Sequence, residues 1–177
     1  MAVGNLEFIK QVTHSGSNVS SISITDIFSA DYDVYQIQIN DLVYDSPAYF
    51  YCRLLDSSNT AITAGNYERA TLLMDTGAAW TERTSTGSGN FMELGYFGSG
   101  TTNNNTNIIY IFNPFSSSSY TFGLNQGFGY FGSRGNGTKA IGVLKDTQSC
   151  KGIQVNVESG SVNFTAGTIT AYGLASN

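Results

Sequence analysis

A single histidine, His14, lies in the stretch Thr13-His-Ser-Gly-Ser17. Any Ser-His-Asp or Cys-His nucleophilic site would have to be built around it, because imidazole is the side chain that trades protons near neutrality. Its polar, glycine-containing surroundings read instead as a solvated turn. Zinc sites draw on close-spaced Cys and His pairs, and here the two cysteines, Cys52 and Cys150, are far apart from each other and from the histidine. They read as buried small apolar side chains, with pairing between them left open. Asp26, Asp31 and Asp33 bring hard oxygen donors close together in sequence. Their spacing differs from the helix-loop-helix calcium pattern, however, and Asp in turns ordinarily bonds its own backbone. The 13 acidic residues always allow some carboxylate pair for glycoside cleavage, a chemistry decided by separation in space. The expectation is a protein that is not an enzyme and holds no metal or cofactor.

Binding chemistry has a better address. The segment Gln126-Gly-Phe-Gly-Tyr-Phe-Gly-Ser-Arg-Gly-Asn-Gly137 strings Phe128, Tyr130, Phe131 and Arg134 along a backbone that glycine makes mobile. Exposed rings beside an arginine suit a sugar face or a protein partner. Trp80, the one tryptophan, completes the candidate ligand- or partner-binding set. The competing reading packs alternate rings onto the body of the fold. A phosphate loop is excluded, because no helix follows the glycines.

The elements that must position these residues are strands. Runs rich in β-branched and aromatic residues occur at 7–12, 19–24, 34–43, 48–55 and 70–75. Further runs occur at 91–97, 108–112, 120–124, 140–145, 152–157 and 167–174. Short strands separated by turn signals predict an all-β, antiparallel β-sandwich of jelly-roll-like type. No sustained helical period is present, and the one helical turn expected is at 25–29, where Asp26 could cap it. Alternation puts Phe50, Cys52 and Leu54, and likewise Tyr35, Ile37 and Ile39, on core faces. Ile109, Ile111, Phe122 and Leu144 are predicted to join them. The strand near the C-terminus, with Phe164, Ile169, Tyr172 and Leu174, is expected to close the sandwich. The segments 98–107 and 123–137 read as loops.

Composition agrees. Of 177 residues, 41% are hydrophobic and only 12% charged, about half the usual charged share. Polarity therefore rests on Ser, Thr, Asn and Gly, which suit strand faces and turns better than helix surfaces. Length and the absence of a linker or repeat predict one domain over 1–177. A formal net charge of −5 with scattered Lys and Arg argues against nucleic acid. The lack of a charged leader or a long apolar run predicts a chain made in the cytosol without membrane insertion.

Several stretches, spread over nearly the whole chain, resemble a known group. They are Ile22-Ser-Ile-Thr-Asp-Ile-Phe-Ser-Ala-Asp-Tyr-Asp-Val-Tyr35, Asn40-Asp-Leu-Val43, Ile109-Tyr-Ile-Phe-Asn-Pro-Phe-Ser-Ser-Ser-Ser-Tyr-Thr-Phe122, Lys139-Ala-Ile-Gly-Val-Leu-Lys145 and the stretch from Phe164 to Leu174. In order and type they resemble small virion structural proteins of tailed bacteriophages, especially those infecting marine cyanobacteria. The resemblance implies a jelly-roll β-sandwich on the outside of a phage particle, as a capsid decoration or as a knob, fibre or tail component. It implies no catalytic residue. A long fibre is disfavoured by the absence of heptads and repeats. The expected partners are other virion proteins and further copies of the chain, which would cover exposed strand edges. A host-attachment adhesin binding surface glycan through Trp80 and the segment from Phe128 to Arg134 is the alternative function. A glycan depolymerase is a third.

Overall fold

The computed structural model describes residues 5–77, 79–97, 105–157 and 162–175. Twelve strands and no helix are present among them. The strands are β1 (Leu6–Val19), β2 (Ser21–Ile24), β3 (Val34–Tyr44), β4 (Ala48–Leu55), β5 (Tyr67–Asp75), β6 (Ala79–Ser88), β7 (Met92–Phe97), β8 (Thr106–Phe112), β9 (Thr121–Phe131), β10 (Arg134–Leu144), β11 (Gly152–Val157) and β12 (Phe164–Leu174). They form an antiparallel sandwich. One sheet has the order β1-β12-β3-β8-β9-β10-β5-β6 and the other β2-β11-β4-β7. The chain changes sheet at every connection except the hairpins β5–β6, β8–β9 and β9–β10. This back-and-forth winding gives the sandwich its jelly-roll character.

The core lies between the sheets. Phe50, Cys52 and Leu54 of β4 and Ile153 and Val155 of β11 are buried against Tyr35, Ile37 and Ile39 of β3, Ile109 and Ile111 of β8, Leu144 of β10, and Phe164 and Ile169 of β12. Alternation therefore assigned β3 and β4 correctly. β12 closes the sandwich from inside the large sheet, hydrogen-bonded to β1 on one side and β3 on the other; Phe164 and Ile169 are buried as expected, but Tyr172 and Leu174 lie on the outward face, Leu174 exposed. Cys52 and Cys150 are both buried free thiols, and burial pushes each up to about 12.

Three further expectations are corrected. The helical turn at 25–29 does not form: Asp26 takes a left-handed φ of 56°. Beyond it the chain turns inward, so that Ile27 and Phe28 enter the core and both backbone N–H groups donate to the Lys151 carbonyl. The stretch 123–137 is no loop. It forms the hairpin β9–β10, closed between Phe131 and Arg134 by the two residues Gly132 and Ser133. Gly132 has a φ of 61°, the positive value that tight hairpins require. Its other glycines serve close packing, not mobility. A Cβ on Gly127 would collide with the Asn107 amide, and one on Gly129 with that of Asn105. Finally, Phe122 is outside the core, 47% exposed. On β9 the inward positions hold Thr121, Gly123, Asn125 and Gly127, so apolar character and burial are reversed on this strand.

Candidate functional site

The outward face of the large sheet carries its side chains in rows that run across the strands, because antiparallel register places paired residues side by side. The row nearest the tips of hairpins β5–β6 and β9–β10 reads Trp80 (β6), Met74 (β5), Gly137 (β10), Phe128 (β9) and Thr106 (β8). The next reads Glu82, Leu72, Lys139, Gln126, Ile108, Gln38, Thr170 and Gln11. Two further rows are mostly apolar: Thr84, Ala70, Ile141, Leu124, Tyr110, Gln36, Tyr172 and Phe8, then Thr86, Glu68, Val143, Phe122, Phe112, Val34, Leu174 and Leu6.

In the first row Trp80 and Phe128 are 69% and 63% exposed. Gly137 lies between them with the Met74 methyl 3.0 Å from where a Cβ would stand and the Gly127 carbonyl oxygen at 3.7 Å. The missing side chain leaves a cleft of about 410 Å³ lined by Met74, Trp80, Phe128 and Gly137, with Thr76 and Asn136 among the polar groups around it. Its floor is held by the two hairpin tips, which are tied together. Thr76 N–H donates to the Gly135 carbonyl at 3.0 Å, and Gly135 N–H donates to Thr76 Oγ1 at 3.1 Å. Asp75 adds a bond from the Gly77 N–H and a contact of 3.7 Å to Arg134 Nη1.

The structure thus divides the predicted site residues. Trp80, Phe128 and Tyr130 share the outward face, with Tyr130 one step beyond Phe128 toward the tip. Arg134 and Phe131 do not join them. The Arg134 guanidinium lies over Gly77 and Asp75, which makes it a fastener of the turns. Phe131 packs edge-on against Tyr96 of β7, with ring centroids 4.9 Å apart, and Tyr96 in turn meets Tyr49 of β4 at 4.5 Å. This aromatic group covers one end of the sandwich, over a narrow cavity of about 190 Å³ that includes Thr138 and Asn136 in its lining.

Met74, Gly137, Glu82, Lys139 and Gln126 were not legible as site residues. The alternation along 138–144, with Lys139, Ile141 and Val143 opposite Ala140 and Leu144, is the sequence signal that places Lys139 on the outer face. Of the residues considered for acid–base or metal chemistry, His14 is not in a solvated turn but half-buried on β1, with Nε2 2.8 Å from the Ser17 carbonyl. The Asp26 carboxylate accepts from Asn59 Nδ2 at 3.1 Å, which holds it below the usual carboxylate range. Asp31 accepts from the Ser29 hydroxyl at 2.8 Å. Among the described residues no three His, Cys, Asp or Glu side chains gather as metal ligands, and no helix is long and apolar enough to cross a membrane.

No protein-family model matches the sequence, and no curated protein matches it. Solved structures similar to it are distant. A fructofuranosidase from Schwanniomyces occidentalis complexed with fructosylnystose is 6% identical, covering 95% of this chain and 34% of that one, with a TM-score of 0.30. This chain therefore spans about a third of that protein. The galectin LEC-6 of Caenorhabditis elegans is 10% identical over 90% of this chain and 94% of its own, with a TM-score of 0.34. An endo-β-1,4-glucuronan lyase from Trichoderma reesei is 7% identical over 99% and 87%, with a TM-score of 0.32. Likeness at this level says nothing about what the chain binds or does.

Proposed function

We propose that this chain is a noncatalytic structural protein on the surface of a tailed-phage particle, present in several copies that associate through the apolar rows of the large sheet and attached to other virion proteins. The observation that supports this reading is the pair of apolar rows. Leu6, Phe8, Tyr110, Phe122, Ile141 and Leu174 all lie in them and are 36 to 64% exposed. With strands about 4.8 Å apart and like-facing residues about 6.8 Å apart, two rows across eight strands cover roughly 500 Å². Twelve of the sixteen positions are apolar, so the apolar share is about 400 Å², the size of a typical monomer's largest patch, which is often functional.

A further copy of the chain is the occupant that charge favours. Glu68 is the one ionised side chain in these rows, and Lys145 Nζ already pairs with it at 2.6 Å. Two such faces can therefore meet without leaving a lone charge between them. The resemblance of the sequence to virion structural proteins supports the location. The test is the mass of the purified chain by light scattering, together with its copy number in purified particles of the encoding phage. An oligomer that Phe122→Ser with Ile141→Ser reduces to a folded monomer, and stoichiometric presence in particles, are the results expected. A wild-type monomer, or absence from particles, overturns the proposal.

A further inference from the structure

We propose that the cleft between Trp80 and Phe128 binds an uncharged hexose oligosaccharide laid across strands β6, β5, β10 and β9. This goes beyond a role in assembly, and it rests on different rows of the sheet.

The two rings are separated by three strand spacings, about 14 Å at the backbone. That is the reach of a short oligosaccharide and well beyond a single sugar ring. Between the rings the floor is low, because Gly137 has no side chain, and apolar, because Met74 lies across it. Alongside runs the second row, with Glu82 as an acceptor, Lys139 as a donor and Gln126 as both. A ligand that fits has an apolar face to lie on the rings and a hydroxylated edge to meet the polar row, which is the amphipathic build of a pyranose.

Other occupants fit less well. A peptide strand adds to an open sheet edge; β6 is such an edge, but Met74, Gly137 and Phe128 lie on the interior strands β5, β10 and β9, whose backbone groups are already engaged in ladders on both sides. Polyanions need clustered cations. Here Lys139 is offset by Glu82 two strands away, about 10 Å at the backbone, and Arg134 is engaged by Asp75. The charges around the apolar floor balance, Lys139 with Glu82 and Arg134 with Asp75, which favours a neutral sugar over an acidic one.

Trp80 is the only tryptophan, so its fluorescence reads the site directly in the full-length chain. The probes are glucose-, mannose- and galactose-based oligosaccharides from one to six units on an array, then in solution, with oligogalacturonate as the acidic comparison. A neutral series is expected to shift Trp80 emission, with the single sugar at least about tenfold weaker than the longer members. Phe128→Ala, a change at an exposed ring, should weaken binding about tenfold, the effect of truncating one central contact. Gly137→Val should abolish binding by filling the floor, where only the flexible Met74 methyl must move. Trp80→Ala, read on the array, should lose the signal. The proposal is overturned if no neutral series binds, if oligogalacturonate binds more tightly, or if folded Phe128→Ala and Trp80→Ala chains bind as wild type does. Phe122→Ser with Ile141→Ser, which leaves the cleft rows intact, should bind the sugar unchanged whatever its oligomeric state.

Discussion

Replacing Arg83 tests what fastens the free edge of the large sheet to the small one. Arg83 Nε is 3.0 Å from Oε2 of Glu93, and the Glu93 side chain is only 1% exposed. The guanidinium also stands 3.9 Å over the Tyr49 ring and donates from Nη2 to the Tyr51 hydroxyl at 3.3 Å. It therefore ties β6 to both β4 and β7. Arg83→Met keeps the apolar stem but takes the guanidinium away from the buried Glu93 carboxylate. Breaking one side of a buried pair costs about 3–5 kcal/mol, against at most about 1 for a pair on the surface. In a domain of this size each kcal/mol moves the thermal midpoint by about 2–4 °C, so a loss of about 6–20 °C is expected. Arg83→Met combined with Glu93→Leu should recover most of it, since an apolar pair of similar volume replaces a buried ion pair at little cost. Thermal and urea unfolding followed by Trp80 fluorescence and circular dichroism give both numbers. A single-variant loss under about 1 kcal/mol, or a double variant as unstable as the sum of the singles, would refute the view that charge burial at this edge matters.

Other expectations are simpler to check. Phe50→Ala should cost about 3–5 kcal/mol, whereas Phe122→Ala should cost under about 1 kcal/mol in the monomer; comparable losses in urea unfolding would mean that the outward face of β9 is wrongly assigned. Gly129→Ala forces a methyl against the Asn105 amide and should destabilise by about 1–3 kcal/mol, whereas Gly132→Asn, in the open hairpin turn, should be tolerated. Both buried thiols should resist a thiol reagent until the chain unfolds. Burial raises each from 9.0 to about 12, so above pH 9 the unfolded chain releases protons that the folded chain retains. Stability should therefore fall as pH rises from about 9 to about 12, and Cys52→Ala with Cys150→Ala should flatten that slope despite lowering overall stability.

The sandwich was legible because its core strands alternate plainly. β3 and β4 place Tyr35, Ile37, Ile39, Phe50, Cys52 and Leu54 inward, and the structure buries all six. The hairpin β9–β10 is illegible because glycines in a sequence read as turn signals, whereas in the folded chain Gly127 and Gly129 make room for Asn107 and Asn105. β6 is hidden for another reason. Its run Trp80-Thr-Glu-Arg-Thr-Ser-Thr86 is polar on both faces, since Arg83 turns inward only to meet Glu93. The site suffered from both effects. Trp80 and Phe128 could be named from their type, but their neighbours Met74, Gly137 and Lys139 become neighbours only through a register that the sequence does not display.

The position of β12 has a consequence for how the chain folds. Among the described residues β1 hydrogen-bonds, within the large sheet, to β12 alone, and Gln11 Nε2 bonds to Thr170 Oγ1 across 159 positions. The opening strand thus has no ladder to join until the closing one has been synthesised and has found β3. Closing so long a loop must be offset before any of its contacts contribute, which places the step among the slow, non-local events of folding. During translation β1 would wait as an unpaired ribbon, and a ribosome paused before residue 164 would hold a chain whose large sheet ends at β3.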